Sequence, residues 1–486
     1  MPHAESLNGR KLYLTLDQGG HASRALVYDT DGRCLMQESI ACEVRRGDGA
    51  RVEQDPDAIV NGLRECIARV ATRLGPRCKD IVAAALVTQR SSVVCWDRIN
   101  TSALTPMLSW QDLRAQDWLR TFNDAAEKIH DITGLMLSAH YGAGKLRWCL
   151  DHVPAVQAAA QAGRLACGPL AAFLLFRLLN ERPLLIDSGN AARTLLWNRR
   201  TCDWDRGLAD LFGVPLDYLP RSVPNRYAFG TLPVGQYSVP LSFCHGDQPA
   251  ALFATGMPRH DCVYINIGTG AFVQRVFADD PRTVPGLLTV LVLDEAARHC
   301  YALEGTVNGA GSALAAMGNE FGLDAAEFAA RLPVWLEQCR APPLFLNGVS
   351  GLGAPFWVAD FSSRFIGAGD MAERLVAVVE SIVFLLQSNI EAIEAQVAPA
   401  LDIVVSGGVA SLDGLCQRLA ALSGRPVWRS TQREASARGA AWLLTGTTQA
   451  WMDEEAGERF VAHEDANLRE RYRRWRAALQ AQINSQ

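Results

Sequence analysis

Three glycine-bearing turns stand out, each directly after a short apolar run: Gly19-Gly20 after KLYLTLD, Gly268-Thr269-Gly270 after CVYINI, and Gly407-Gly408 after IVVS. Glycine lets backbone N–H groups approach phosphate oxygens closely, so three such turns together form an arrangement suited to a nucleotide. Any one of them is also what an ordinary turn looks like; the set gains weight from Asp17, an acid ending the first apolar run. Motifs of other nucleotide sites and hydrolases are missing. Gly142-Ala143-Gly144-Lys145 imitates a P-loop, but Leu146 replaces the Ser/Thr and the first glycine is absent. No G-x-G-x-x-G opens a helix, and neither H-x-x-x-H nor G-x-S-x-G occurs.

The turns must be positioned by a large core. The chain has 486 residues, 49% hydrophobic and 20% charged, with 40 Gly and 22 Pro, which excludes collagen-like and disordered classes and leaves room for two large domains or three ordinary ones. A net charge of -5, from 47 basic and 52 acidic residues, gives no global field to recruit nucleic acid or membrane. The apolar run Leu165–Leu179, taken as the longest, is too short to span a bilayer, is broken by Arg177, and reads as a buried helix or strand. MPHAESLNGRK has no apolar stretch of the kind a secretory leader needs. Thirteen cysteines, scattered without any C-x-x-C pair, fit reduced thiols in the cytoplasm and neither a disulfide frame nor a zinc site.

Along the chain, strands are expected at 11–17, 24–28 and 34–41, then a helix over 56–74 and a doubly buried strand at 81–89. VVCWD (93–97) is strand-like, and helical patterns dominate from Asp117 to about Asn180. The opening recurs near the middle: CVYINIGTGAFVQRVFA repeats strand, glycine turn and strand about 250 residues after LYLTLDQGGHASRALVY. Two halves that open alike predict a duplicated architecture with a cleft between them and no flexible linker. The C-terminal LRERYRRWRAALQAQ reads as an amphipathic, solvated terminal helix.

These segments, in this order, resemble the FGGY carbohydrate kinases, and among them the glycerol kinases, over about Leu12 to Trp475. The resemblance rests on Asp17-Gln18-Gly19 with Ser23-Arg24-Ala25, Thr88-Gln89-Arg90, Trp110-Gln111-Asp112 with Arg114, and Thr133-Gly134-Leu135. It continues through Lys145-Leu146-Arg147-Trp148, Asn190-Ala191 with Arg193-Thr194, Gly246-Asp247-Gln248 and Gly268-Thr269-Gly270. Tyr301 to Gly305, Ser350 to Trp357 and Ser406-Gly407-Gly408 complete it.

The resemblance implies an α/β chain of two ribonuclease-H-like domains of the actin and sugar-kinase superfamily, 1–246 and 247–486, closing on ATP and Mg²⁺ in the cleft. It implies Asp247 as the base for the attacking hydroxyl and Asp17 as the residue holding the metal. The nucleotide falls to Gly19, Gly20, His21, Arg24, Gly268, Thr269, Gly270, Gly311, Gly407 and Gly408. The acceptor falls to Arg90, Ser91, Trp110, His140, Gln248 and Phe272, with Tyr141 as the substitute for His140 if the register differs by one.

Two departures from the family pattern carry consequences. The first loop usually reads Asp-x-Gly-Thr-Thr/Ser, and here Gly20-His21 removes both hydroxyls. Losing a hydrogen bond to a charged group costs about 1.5–3 kcal/mol, roughly 10- to 150-fold. In the acceptor pocket Ser91 replaces a glutamate and His140 a tyrosine. The shorter Ser91 opens room, which points to a polyol or ketose longer than glycerol. The expectation is therefore a cytoplasmic ATP-dependent polyol or sugar kinase, with no nucleic-acid or membrane partner and a homo-oligomer as an option. Glycerol kinase proper, and a binding protein of the same fold that no longer transfers phosphate, are the alternatives. Trp96, Trp118, Trp148, Trp335 and Trp357 read as packing residues, Glu380 as structural, His245 as a backbone-bonded loop histidine, and Ala171-Ala172 as repacking.

Overall fold

Leu12–Gln18 (β1) is buried along its whole length, as a strand covered on both faces must be. In the computed structural model, which describes residues 11–485 apart from 49, 278–281, 296–297, 340, 433 and 452–456, β1 lies inside a six-stranded sheet. The N-terminal stretch read above as lacking a leader lies outside the described residues, Lys11 excepted. Ala22–Tyr28 (β2) pairs antiparallel with β1, and Cys34–Ala41 (β3) with β2. On its other side β1 runs parallel to Ile81–Thr88 (β4). Arg226–Val234 (β5) and Tyr237–Gly246 (β6) complete the order β5-β6-β4-β1-β2-β3, with β6 parallel to β4.

The second sheet repeats this plan. Cys262–Ile267 (β7), Ala271–Phe277 (β8), Leu288–Asp294 (β9), His299–Val307 (β10), Asp402–Ser406 (β11), Val427–Arg429 (β12) and Glu458–Phe460 (β13) lie in the order β9-β10-β8-β7-β11-β12-β13. The run β3-β2-β1-β4-β6 matches β10-β8-β7-β11-β12 in order and in strand direction. The repeated sequence opening is thus the start of a repeated topology.

Helices cover both sheets. Pro56–Leu74 (α1), capped by the Asp55 side chain, packs on β2 and β3. Gly142–His152 (α2) carries Lys145 inward. The run 165–179 is one element of each kind: Leu165–Pro169 is a strand of a smaller five-stranded sheet containing Val93–Asp97, and Leu170–Leu178 (α3) follows it. The same strand interrupts the helical region expected from 117 to 180. Gly311–Glu320 (α4) begins beside the second glycine turn.

Met371–Glu394 (α5) is the one helix among the described residues long and apolar enough to cross a membrane; its most apolar stretch has a mean hydropathy of 1.6 and is 89% buried within the protein, so it is a core helix. It crosses the second sheet as α1 crosses the first, and its acid-rich start forms a capping box between Asp370 and Glu373. Asp413–Ser423 (α6) packs beside it. Ala435–Thr445 (α7) returns to pack on β1, β4 and the short helix Asp247–Ala251, joining the end of the chain to the first sheet.

The C-terminal helix, Ala466–Asn484 (α8), is docked rather than solvated. Leu468, Tyr472, Trp475 and Leu479 are buried, Trp475 Nε1 donates to the Phe345 carbonyl at 2.8 Å, and Arg471 pairs with buried Glu380. Its charged residues hid this, because the four apolar positions at helical spacing form a stripe along one face that is enough to dock the helix.

Candidate active site

The three parallel neighbours β6, β4 and β1 end together. Thr88 stands in register with Gln18 on one side and Gly246 on the other. The residues that follow these ends therefore emerge along one edge, the carboxyl end of the sheet, where ligands of open α/β sheets collect. From β1 comes Asp17, from β4 the Gln89-Arg90-Ser91 turn, and from β6 Asp247.

Asp17 is 5% exposed, and its Oδ2 accepts from Arg24 Nη1 at 3.2 Å. Arg24 Nε lies 3.8 Å from Glu434, the residue before α7. Burial pushes the Asp17 carboxyl up to about 7; Arg24 opposes this, and the charges of Asp247 and Glu434 add to it. Asp17 and Glu434 share the Arg24 guanidinium, a setting that fits a divalent cation beside Asp17. Gln54 Nε2 donates to the Gly20 carbonyl at 3.1 Å, which fixes the loop, while His21 is exposed. Nothing crowds position 20: the nearest atom to an added Cβ is Gln89 Oε1 at 3.9 Å.

A pH effect follows. With a folded value of about 7 against an ordinary 3.8, Asp17 holds a proton in the folded chain over a range where the unfolded chain has lost it. Stability of the metal-free protein is expected to fall by a contribution on the order of 4 kcal/mol as pH rises from about 4 through about 7. Asp17→Asn should remove that contribution, measured by chemical denaturation at several pH values; parallel profiles would contradict it.

The second turn is bonded to α4. Gly268 N–H donates to the Gly270 carbonyl at 2.8 Å, Gly311 N–H to the Gly268 carbonyl at 2.9 Å, and Ser312 N–H to the Thr269 carbonyl at 3.0 Å. Gly407 ends β11 with φ 92°, and a Cβ there would sit 2.5 Å from the Ile267 carbonyl oxygen, so only glycine lets β11 close on β7. Gly408 beside it is exposed with open space around it.

Arg90 is buried and lies across Gly246, where a Cβ would be 2.3 Å from Arg90 Cδ. Its Nη2 donates to Gln248 Oε1. Burial lowers the Arg90 guanidinium to about 10, with Arg193 adding repulsion, while Glu304 and Asp247 support the charge. Burial also raises the Asp247 carboxyl above the ordinary range, opposed by Arg90 and by the Gln248 N–H, which donates to Oδ1 at 2.7 Å. A base of raised pKa near an arginine suits a group that must accept a proton at neutral pH.

Ser91 adopts φ 63° and, like Arg90 before it, is buried. Lys145, fully buried, donates from Nζ to the Ser91 carbonyl at 3.1 Å, to the His140 carbonyl and to the Tyr141 carbonyl at 3.5 Å. Burial lowers its ammonium to about 7; the charge of Asp112 opposes this and that of Arg114 adds to it. Lys145 thus ties the Arg90-Ser91 turn to the His140-Tyr141 corner. His140 is exposed, with Nδ1 3.1 Å from the Trp110 carbonyl and its ring 6.1 Å from the Trp110 ring. Tyr141 is buried, with the Arg193 guanidinium 5.4 Å over its ring. Phe272 enters half-buried from β8.

The sequence assigned no role to Arg193, Glu304, Gln274 or Lys145. Arg193 Nη1 donates to Glu304 Oε1 at 3.2 Å, and Gln274 Nε2 to Glu304 Oε2 at 2.6 Å. This buried pair crosses from the first half of the chain to the second sheet, directly behind Arg90. Its signal was present: Glu304 is an acid inside an otherwise apolar strand, Tyr-Ala-Leu-Glu-Gly. His245, by contrast, is backbone-bonded as expected, but from within β6 and not from a loop, with Nε2 2.7 Å from the Val292 carbonyl, and burial lowers it to about 3.

Comparison with known proteins agrees over most of the chain. The FGGY family of carbohydrate kinases matches through its N-terminal domain over residues 12–254 and its C-terminal domain over residues 263–445. A glycerol kinase of Aromatoleum aromaticum is 34% identical over 450 residues, covering 88% of each chain. One of Polaromonas naphthalenivorans is 31% identical over 447 residues, covering 88% of this chain and 89% of the other. In fold, Plasmodium falciparum glycerol kinase, crystallised with ADP, aligns over 97% of this chain and 98% of its own with a TM-score of 0.85 at 22% identity. Gluconate kinase from Lactobacillus acidophilus gives a TM-score of 0.85 at 20% identity, covering 98% and 99%.

Proposed function

Because the chain belongs to the FGGY family of carbohydrate kinases, ATP-dependent phosphotransferases with an alcohol acceptor, we propose that it phosphorylates a polyol or ketose longer than glycerol at the edge formed by β1, β4 and β6. The observation that carries this reading is the shared register of those three strand ends, which brings Asp17, Arg90 and Asp247 out side by side.

In this reading the acceptor hydroxyl lies against Asp247, which takes its proton as the oxygen attacks the γ-phosphorus and ADP leaves. Arg90, Gln248, Trp110 and Phe272 orient the acceptor, and Ser91 and His140 form the wider part of its pocket. The turns at Gly19-Gly20-His21, Gly268-Thr269-Gly270 and Gly407-Gly408, with Arg24 and Gly311, hold the nucleotide. Asp17, sharing Arg24 with Glu434, would hold Mg²⁺, which supplies charge neutralisation on the phosphates. Gly246–Asp247 is the boundary between the halves, and their closure excludes water from the transfer.

A second reading, glycerol itself as acceptor, is favoured by the curated relatives named glycerol kinase. Coupled ADP release with glycerol and with polyols and ketoses of four to six carbons separates the two. A higher kcat/KM for a longer acceptor is expected, and a higher value for glycerol would overturn the enlarged pocket. Ser91→Glu places a carboxylate in a backbone conformation the chain already adopts. It is expected to raise kcat/KM for glycerol by roughly 10- to 150-fold. An unchanged or lower value would show that position 91 does not set acceptor choice.

A further inference from the structure

Away from the cleft, the end of the β9–β10 hairpin faces the loop joining the short strands Trp197–Asn198 and Asp203–Trp204. Asp294 and His299 are cross-strand partners at that hairpin end, so their side chains leave the same face. Cys202, at φ 54°, belongs to the facing loop. His299 Nδ1 lies 3.5 Å from Asp294 Oδ1 and 3.8 Å from Cys202 Sγ. One ligand atom from each of the three lies within 4.8 Å of the others, the one such group among the described residues.

We propose that Cys202, Asp294 and His299 form a site for one zinc-class divalent cation that joins the two halves of the chain. Tetrahedral zinc, with bonds of about 2.0–2.3 Å, places neighbouring ligand atoms about 3.3–3.6 Å apart. The two separations given above are within a few tenths of an ångström of that, and the third, between Cys202 and Asp294, is within 4.8 Å, a gap that rotation of the two side chains would close. One thiolate, one imidazole and one carboxylate are a borderline-soft set that selects zinc or cobalt over magnesium. Three protein ligands leave a fourth position, and half-buried Cys202 and His299 leave water a route to it.

Neighbouring groups hold the ligands in place. Asn225 Oδ1 accepts from the Asp294 N–H at 2.8 Å, and the Asn225 N–H donates to the Asp294 carbonyl at 2.9 Å. The Tyr301 ring stacks on His299 at 6.4 Å, and its hydroxyl donates to the Arg199 carbonyl at 3.1 Å, anchoring the Cys202 loop to the strand that carries His299. The sequence expectation of no zinc site rested on ligand spacing along the chain. Here the three ligands come from segments about 90 residues apart, which no local pattern reveals.

The test is titration of chelator-stripped full-length protein with Co²⁺, reading the thiolate-to-cobalt absorption band, followed by displacement with Zn²⁺ in excess Mg²⁺. The expected result is one cobalt per chain, displaced by zinc but not by magnesium, with a zinc-dependent rise in Tm. Cys202→Ser should abolish the band, and His299→Asn should weaken binding at least 10- to 100-fold, roughly the loss seen for a ligand's supporting partners. Cys34→Ser, at an exposed site, should leave the band in place. Absence of the band in folded wild-type protein, or its survival in Cys202→Ser, would overturn the proposal. None of these readouts depends on turnover, so the outcome stands apart from that of the kinase reading.

Discussion

Replacing Asp247 by asparagine is expected to lower kcat by roughly 10²- to 10⁴-fold, the usual contribution of a positioned general base. The amide has the shape of the carboxylate, so the helix Asp247–Ala251 and the Gln248 N–H contact remain, and KM for ATP should change little. What is lost is the ability to take the hydroxyl proton. Because burial raises the Asp247 carboxyl, the acid limb of the wild-type kcat/KM profile should lie above the ordinary carboxylate range. Protonation at lower pH silences the base, so activity rises with pH through that limb. Residual activity in Asp247→Asn should lack this limb. A variant retaining more than about a tenth of wild-type kcat would remove Asp247 from the role of base.

Breaking the buried Arg193–Glu304 pair from one side is the second large effect. Glu304→Leu leaves the Arg193 guanidinium buried, beside Arg90, with its carboxylate partner gone. Removing one partner of such a pair costs about 3–5 kcal/mol. The like charges behind the pocket should also raise KM for the acceptor, since Arg90 now shares its surroundings with an uncompensated cation. The double variant Arg193→Met, Glu304→Leu replaces charges with apolar volume and should recover much of the stability, because a whole buried pair is often dispensable for folding. Chemical denaturation of the two singles and the double closes the cycle. A loss in the double equal to the sum of the losses in the two singles would show that the pair is not coupled.

Much of the fold was legible because its strands carry strong local signals. Leu12–Gln18, Ile81–Thr88 and Asp402–Ser406 are apolar runs ended by a polar or glycine turn, and the structure places them as expected. The recurrence of the opening at Cys262 anticipated the repeated sheet. Other elements were obscured where local pattern and tertiary packing disagree. In the run 165–179 the strand-to-helix junction is marked by Gly168-Pro169, but the apolar residues on both sides made it read as one element. The C-terminal helix read as solvated because it carries five arginines against four buried apolar residues, yet Arg471 itself is buried against Glu380.

The site divides in the same way. Asp17, Asp247 and the glycine turns stand at strand ends, positions marked in the sequence by a change from apolar to polar. Lys145 and Glu304 act from inside elements, where the mark is a charge at a core position and its partner is far away in sequence. Lys145 reaches back to Ser91, and Glu304 to Arg193, 111 residues earlier. Such pairings become visible only when the sheets are assembled.

Phosphoryl transfer to an alcohol at the edge shared by β1, β4 and β6 is tested most directly by following ADP formation and product mass together, with MgATP and a single acceptor drawn from the polyols and ketoses above. The expected result is ADP that forms only with acceptor, matched by an acceptor heavier by one phosphoryl group, and loss of both in Asp247→Asn. ATP binding without acceptor-dependent ADP for any of these compounds would contradict it.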